Sequence, residues 1–363
     1  MAKAKKNSQI SGLPEGVYFN LPFDDYHNDP ALGSGDLRAL RKSAPDYWYE
    51  SPLNPQRVRS KTTPARLRGQ AMHSMVLEGR QAFDARFVCE PTGSDVLYTI
   101  ADMTEWLKAH GSLFPKGSKA ELAALVQKFA KRLKLKNPPV LYDDFKSKVE
   151  ASGRIILNFD DYARISIASA MITKNPELAT AFTGGVSEVS VFWRRSPQDP
   201  MMKCRFDYLK VRGIGDLKAI TNTMGVDFGE ACKNNFARYR YDIQAAHYLE
   251  GRAMLPLLVR GGHVFGKHDK KWLAEVAASK EYAFVFVFFQ AEGAPITESF
   301  KLSPRNPILA VAQDDIAAAL ARYHQSLNTF GPHEMWVRIA PTAELDIGEL
   351  PGYYGRAQPG EKP

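Results

Sequence analysis

Arg205-Phe-Asp-Tyr-Leu-Lys-Val-Arg-Gly-Ile-Gly-Asp-Leu-Lys-Ala219 reads as a strand, a tight turn and a second strand. Side chains alternate along a strand, so Asp216 and Lys218 project from one face, and the turn at Arg212-Gly213 folds Asp207 back beside them. Two carboxylates and an ammonium therefore converge between the apolar residues Ile214 and Ile220. Such a cluster is costly to bury unpaired, and a hard divalent cation, magnesium or manganese, relieves the repulsion between the carboxylates. Lys218 then stands where it can orient or deprotonate an attacking water, as phosphodiester hydrolysis requires. The same residues also suit a plain hairpin with a structural salt bridge, and only their surroundings separate the two readings.

Outward from this hairpin the pattern is mixed α/β. Val186 to Trp193 is rich in β-branched and aromatic residues and precedes the strand Met202 to Leu209; Ile214 to Ile220 follows the turn, and Tyr282 to Gln290 is a later apolar strand. Helical periodicity covers residues 34–50, capped at Ser34 or Asp36 and halted before Pro45. It returns over Ala65 to Glu78 behind Pro64, where Gly69 and His73 share a face, and over Asp160 to Ile172. Asp227 to Glu250, closed by Gly251, and Gln313 to Leu327 complete the set. Helix, three consecutive strands, helix and strand make a mixed central sheet flanked by helices. Residues 91–140 stand apart: Met103 to His110 and Lys119 to Phe129 form two short helices around a Gly-containing turn, ended by Asn137-Pro-Pro. The expected organisation is a tail over 1–15, the first part of the main domain over 16–90, a helical insertion over 91–140, the core over 141–355 and a tail over 356–363.

Composition sets the outer bounds. At 363 residues, 44% apolar and 24% charged, the chain resembles globular domains rather than fibrous or disordered ones. Its longest apolar run, Tyr282 to Phe289, falls far short of the roughly 20 residues of a membrane span. The basic start leads into polar residues rather than an apolar signal core. Three scattered cysteines support neither a disulfide framework nor a cysteine zinc site, so a cytoplasmic setting is expected. A net charge of +8 favours a polyanionic partner. The basic residues cluster in Arg57, Arg59, Lys61, Arg66 and Arg68, and again in Lys128, Lys131, Arg132, Lys134 and Lys136; both groups also fit plain solvated faces. Gly261 to His268 approaches a phosphate-cradling loop but lacks its Ser or Thr, which sets nucleotide hydrolysis aside, and His263 and His268 have no companion ligands for zinc.

Asp207, an eight-residue spacer and Asp216-Leu217-Lys218 resemble the active-site motif of the PD-(D/E)XK nuclease superfamily, and within it the chain resembles the RecE-like exonucleases of the exodeoxyribonuclease VIII type. The resemblance extends from Gly16 to the last helix. It includes Asp25-Tyr26-His27 with Asp29 to Ser34, Gly69-Gln-Ala-Met-His73 through Leu77-Glu78, Glu188 before Val-Ser-Val-Phe-Trp193, and Tyr241-Asp-Ile-Gln244-Ala-Ala-His-Tyr248. It implies that His73, Asp207, Asp216 and the main-chain carbonyl of Leu217 hold the metal, magnesium with manganese as substitute. Asp207, Asp216, Lys218, His73 and Gln244 are then the catalytic set, with Glu188, Tyr248 and Glu78 as accessory positions. Gln244 and Tyr248 suit either core packing or a phosphate contact, and Glu78, about 140° round an α-helix from His73, suits a cap or surface role equally. Ala219 departs from the family, which usually has Thr or Ser there. Ile100 to Gly111 and Gly117 to Val126 resemble a SAP motif, a small helical DNA binder, which makes Lys128, Lys131, Arg132 and Lys134 DNA-contact candidates beside Arg66 and Arg68.

The implied activity is metal-dependent removal of the 5′-ended strand from linear duplex DNA. It leaves 3′ overhangs for a RecT-type single-strand annealing protein in phage or prophage recombination, with a ring-shaped tetramer as the implied assembly. A structure-selective endonuclease on the same fold and a catalytically silent DNA-binding partner are the competing readings.

Overall fold

A computed structural model describes residues 12–57, 63–294, 296–352 and 354. The tail expected at 356–363, residues 1–11 of that expected at 1–15, and Arg59 and Lys61 lie outside the described residues. Seven strands form the central sheet: β1 (Gly16–Tyr18), β2 (Val186–Trp193), β3 (Met202–Lys210), β4 (Gly213–Ile220), β5 (Val264–Phe265), β6 (Ala283–Gln290) and β7 (Thr297–Leu302). Their order is β7-β6-β4-β3-β2-β1-β5. β2, β3 and β4 form the antiparallel meander read from the sequence. β6 then pairs in parallel with β4, Phe286 opposite Asp216, after a helical crossover.

Helices cover both faces. On one, helices Tyr241–Arg260, Pro307–Phe330 and Ser34–Lys42 bury the main core, which takes Trp193, Phe206, Ile214, Phe284 and Phe286 from the sheet. On the other, helices Pro64–His73 and Phe159–Lys174 bury Met72 and Ile165 against Leu217, Val287 and Phe289. The motif strand β4 therefore feeds both cores, Ile214 into one and Leu217 into the other, which fixes its side-chain register rigidly.

Several elements differ from the sequence expectation, each for a local reason. The helix over 34–50 is two helices, because Ser43 breaks off to accept the Asp46 N–H and Pro45 sits in the first turn of the second helix rather than stopping the first. The helix over 227–250 is also two, Phe228–Arg238 and Tyr241–Arg260, with Arg240 left-handed between them at φ 51° and held by Asp242 and Asp315. Gly251 closes nothing. It lies inside the second helix, where a Cβ would come within 2.7 Å of Cys204 Sγ and 2.9 Å of Trp193, so the missing side chain lets the helix sit on the sheet. β7 was missed because Thr-Glu-Ser-Phe-Lys-Leu lacks a clean alternation and it is an edge strand.

Between the parallel pair Phe87–Cys89 and Ile155–Leu157 stands a unit with its own small core. Helices Ile100–Ala109 and Lys119–Arg132 start in capping boxes, Thr99 with Asp102 and Ser118 with Glu121. They pack Met103, Leu107, Leu122 and Val126 together, and Val96–Leu97 pairs with Val140–Leu141 beneath them.

Candidate active site

The site lies where the sheet stops pairing. Between β2 and β3, Ser187 faces Tyr208 and Val189 faces Phe206, but the intervening Glu188 and Asp207 form no ladder pair. Between β3 and β4, pairing runs from Lys210–Gly213 to Tyr208–Gly215 and ends one step before Asp207 would meet Asp216. Glu188, Asp207 and Asp216 thus stand at one level across three neighbouring strands. In the gap, Asp207 Oδ2 accepts the Leu217 N–H at 2.9 Å, replacing a backbone partner. Glu188 adopts φ 57°, the left-handed region that a non-glycine residue enters only at a cost.

His73 ends the helix Pro64–His73, just before the π-helical turn Ser74–Glu78. Its Nε2 lies 3.2 Å from the Leu217 carbonyl oxygen and 3.6 Å from Asp207 Oδ2. One ligand atom each from His73, Glu188 and Asp207 falls within 4.8 Å of the others, close enough to share one ion. Asp216 is fully buried. Its Oδ1 accepts Gln244 Nε2 at 2.6 Å, while Oδ2 has Lys218 Nζ 2.5 Å away as an ion pair but receives no directed hydrogen bond. The His73 imidazole and the Glu188 and Asp207 carboxylates, with the Leu217 carbonyl beside His73 and the Asp216–Lys218 pair on the next strand, form a donor set that suits a hard divalent cation.

The electrostatics agree. Burial raises the Asp216 carboxyl above its ordinary value and Asp207 adds to it, with Lys218 holding it back. For Lys218, burial works to remove the proton, but Asp216 and Asp207 outweigh it and raise its pKa, so the ammonium persists. Packing around Glu188, together with the charge of Asp207, pushes its pKa up to about 7, although 39% of its side chain remains exposed. Crowded acids held up in this way are typical of functional centres.

The other sequence candidates fall in distinct places. Gln244 orients Asp216 directly. Tyr248 is buried, edge-on to Phe206 and close to Phe284, a core position. Glu78 is gripped by Arg86 through both carboxylate oxygens, at 2.5 and 2.7 Å. The π turn, with its i to i+5 spacing, brings Glu78 back toward the His73 side, and its charge contributes to the raised pKa of Glu188. Arg66 is exposed on the first turn of its helix, and Arg68 lies 3.7 Å from Asp161. Lys128, Lys131 and Lys134 are exposed in the inserted unit, and Arg132 covers the Phe129 ring at 4.0 Å.

Sequence reasoning missed Arg205. Its Nε donates to Ser190 Oγ at 2.8 Å, Nη2 to the Leu21 carbonyl at 2.9 Å, and Nη1 lies 3.6 Å from Glu188. Lys203, two residues earlier, donates to the Tyr26 and Asp29 carbonyls, and both cations lie over the Tyr26 ring. The signal was present as two cations at alternate positions of a buried strand. The segment around Tyr26 thus anchors β3 rather than touching the carboxylates itself.

No curated protein matches this chain. A crystal structure described as a "putative exonuclease" from Eubacterium rectale is similar over 95% of this chain and 96% of its own, at 13% identity and a TM-score of 0.45. The family described as a PDDEXK-like domain of unknown function, DUF3799, matches residues 52–256, more than half the chain and the whole of the cluster from His73 to Gln244. The chain belongs to that family, and its fold is that of a PD-(D/E)XK nuclease, in agreement with the RecE-like resemblance of its motifs.

Proposed function

We propose that the chain is a divalent-metal-dependent exodeoxyribonuclease that removes the 5′-ended strand of linear duplex DNA and leaves 3′ overhangs. The observation that carries the chemistry is the row Glu188, Asp207, Asp216 beside Lys218 and His73. The preference for DNA ends and the 5′ polarity rest on the RecE-like motifs. His73, Asp207, the Leu217 carbonyl and Asp216 Oδ2 would hold the ion, with Glu188 joining them. Magnesium or manganese, when bound, supplies Lewis-acid polarisation of the scissile phosphate and neutralises the carboxylates. Lys218 keeps its proton, so it orients the attacking water and meets charge developing on the phosphate rather than acting as the base. Gln244 fixes the Asp216 carboxylate, and Arg205 does the same for Glu188.

The biological setting follows from the same motifs: a bacterial cytoplasm, phage or prophage recombination, hand-over of the overhang to a RecT-type annealing protein, and assembly as a ring-shaped tetramer. The inserted unit, residues 91–140, supplies a further duplex contact through Lys128, Lys131, Arg132 and Lys134. The test is incubation of purified protein with end-labelled linear and covalently closed circular duplexes, with magnesium and with EDTA. Magnesium-dependent loss of the linear substrate alone, starting at the 5′ label, is the expected result. Cleavage of the closed circle would favour the endonuclease reading, and no cleavage of either would favour the silent DNA-binding one.

A further inference from the structure

Just past Lys218, a cleft opens on each side of the end of β4. One lies between helices Pro64–His73 and Phe159–Lys174, with Met72, Ile165 and Phe289 for a floor and Arg68 and Arg164 among its lining. The other faces helix Phe228–Arg238 and is lined by Asn222, Asn234, Arg238, Tyr239 and Tyr241. Ala219 and Thr221 belong to both. Among the described residues lining the two clefts, Asp161 is the single acid, and it lies 3.7 Å from Arg68. Arg164 and Arg238 are exposed. Tyr239 is 46% exposed, stacked on Tyr241, with the Arg238 guanidinium 5.7 Å from its ring centre. Tyr241 in turn lies under Lys218 Nζ at 5.2 Å. Asn222 directs its Nδ2 to the Val226 carbonyl, while its buried Oδ1 accepts no hydrogen bond from the described residues.

A half-exposed aromatic ring and exposed cations spaced along the two clefts suit the bases and phosphates of a single nucleic-acid strand. Duplex DNA would offer no base faces to Tyr239. We propose that the two clefts form one track for single-stranded DNA across the end of β4, with a base stacked on Tyr239, phosphates at Arg238 and Arg164, and Ala219 as the low point over which the strand passes. This deepens the nuclease reading and rests on it, because the track adjoins Lys218 and so carries a strand to or from the scissile position.

The test uses the full chain in EDTA, where hydrolysis is off, titrated with a single-stranded oligonucleotide containing 2-aminopurine. Binding should quench the fluorescence. Tyr239→Ala should weaken binding by about 5- to 150-fold, the range for losing one base–aromatic stack, and relieve the quench, while Tyr239→Phe behaves as wild type. Ala219→Trp, at an exposed position, should block the track and weaken binding too. Wild-type affinity and quench in both Tyr239→Ala and Ala219→Trp would overturn the track. Magnesium-dependent duplex cleavage by the same wild-type preparation reports on the nuclease reading separately: cleavage with unaltered variant binding sinks the track alone, and no cleavage sinks the nuclease reading whatever the titration shows.

Discussion

Lys218→Met removes the charge beside Asp216 and leaves most of the side-chain volume. Asp216 is wholly buried, and its remaining partner is the neutral amide of Gln244. Removing one member of a buried ion pair costs about 3–5 kcal/mol; Lys218 keeps 17% of its side chain exposed, so water screens part of the pair and the lower end, about 3 kcal/mol, is expected. The pH dependence has a definite sign. Burial already raises the Asp216 carboxyl, and losing the cation raises it further. A carboxyl raised in the folded state favours folding while protonated, and that contribution is lost as the pH climbs through the raised value. The deficit of the variant should therefore be largest in mildly alkaline solution and shrink as the solution is acidified and Asp216 takes up a proton. A divalent cation supplies positive charge at the same place, so magnesium should restore part of the stability but none of the turnover. Urea unfolding across that pH range, in EDTA and in magnesium, measures the first two effects, and single-turnover cleavage the third. A variant as stable as wild type in alkaline EDTA, or one that cleaves at the wild-type rate, would refute the assigned role of Lys218.

Asp207→Ala should lower the cleavage rate by orders of magnitude and, because it also strands the Leu217 N–H, cost about 1–3 kcal/mol in unfolding experiments; Asp216→Ala should be equally inactive. His73→Ala should weaken manganese binding, read by calorimetry, and cut the rate less than either aspartate variant. Since the Glu188 pKa sits at about 7, metal affinity should rise between mildly acidic and mildly alkaline solution, and Glu188→Gln should flatten that rise in the same titrations. Replacing Lys128, Lys131, Arg132 and Lys134 by Ser should weaken duplex binding and reduce its salt slope by roughly 0.9 for each phosphate no longer neutralised, with cleavage of saturating DNA retained; an unchanged slope would move the duplex path away from the inserted unit.

Much of this was legible in the chain. The β2-β3-β4 meander announces itself through β-branched and aromatic runs cut by turns, and alternation alone puts Asp216 and Lys218 on one face. What alternation cannot convey is where a ladder stops. Glu188 looks like one polar residue among several in Val-Ser-Glu-Val-Ser, and only its left-handed backbone and the missing pair with Asp207 bring it into contact range of His73. The role of Gln244 was equally hidden, because helical spacing gives its face but not its partner, 28 residues away on the sheet. The π turn after His73 has no sequence signature at all, so α-helical spacing gives Glu78 a direction that the chain does not follow.

The interruption of the sheet also explains why these residues occupy these positions. An unpaired stretch between central strands leaves buried N–H and C=O groups without partners, which is costly. Here the Leu217 N–H is met by Asp207, one of the proposed ligands, which repairs part of the gap that makes room for the site, and the Leu217 carbonyl lies 3.2 Å from His73 Nε2. The repair is incomplete on the other side, where Asp216 Oδ2 has only the charge of Lys218. The cluster is therefore held in shape from the His73 and Asp207 side and left electrostatically unsettled from the Asp216 side. That asymmetry separates the two kinds of damage expected from mutation. Changes at Asp207 disturb fold and chemistry together through one hydrogen bond, whereas changes at Lys218 act through a charge that an added cation can partly replace.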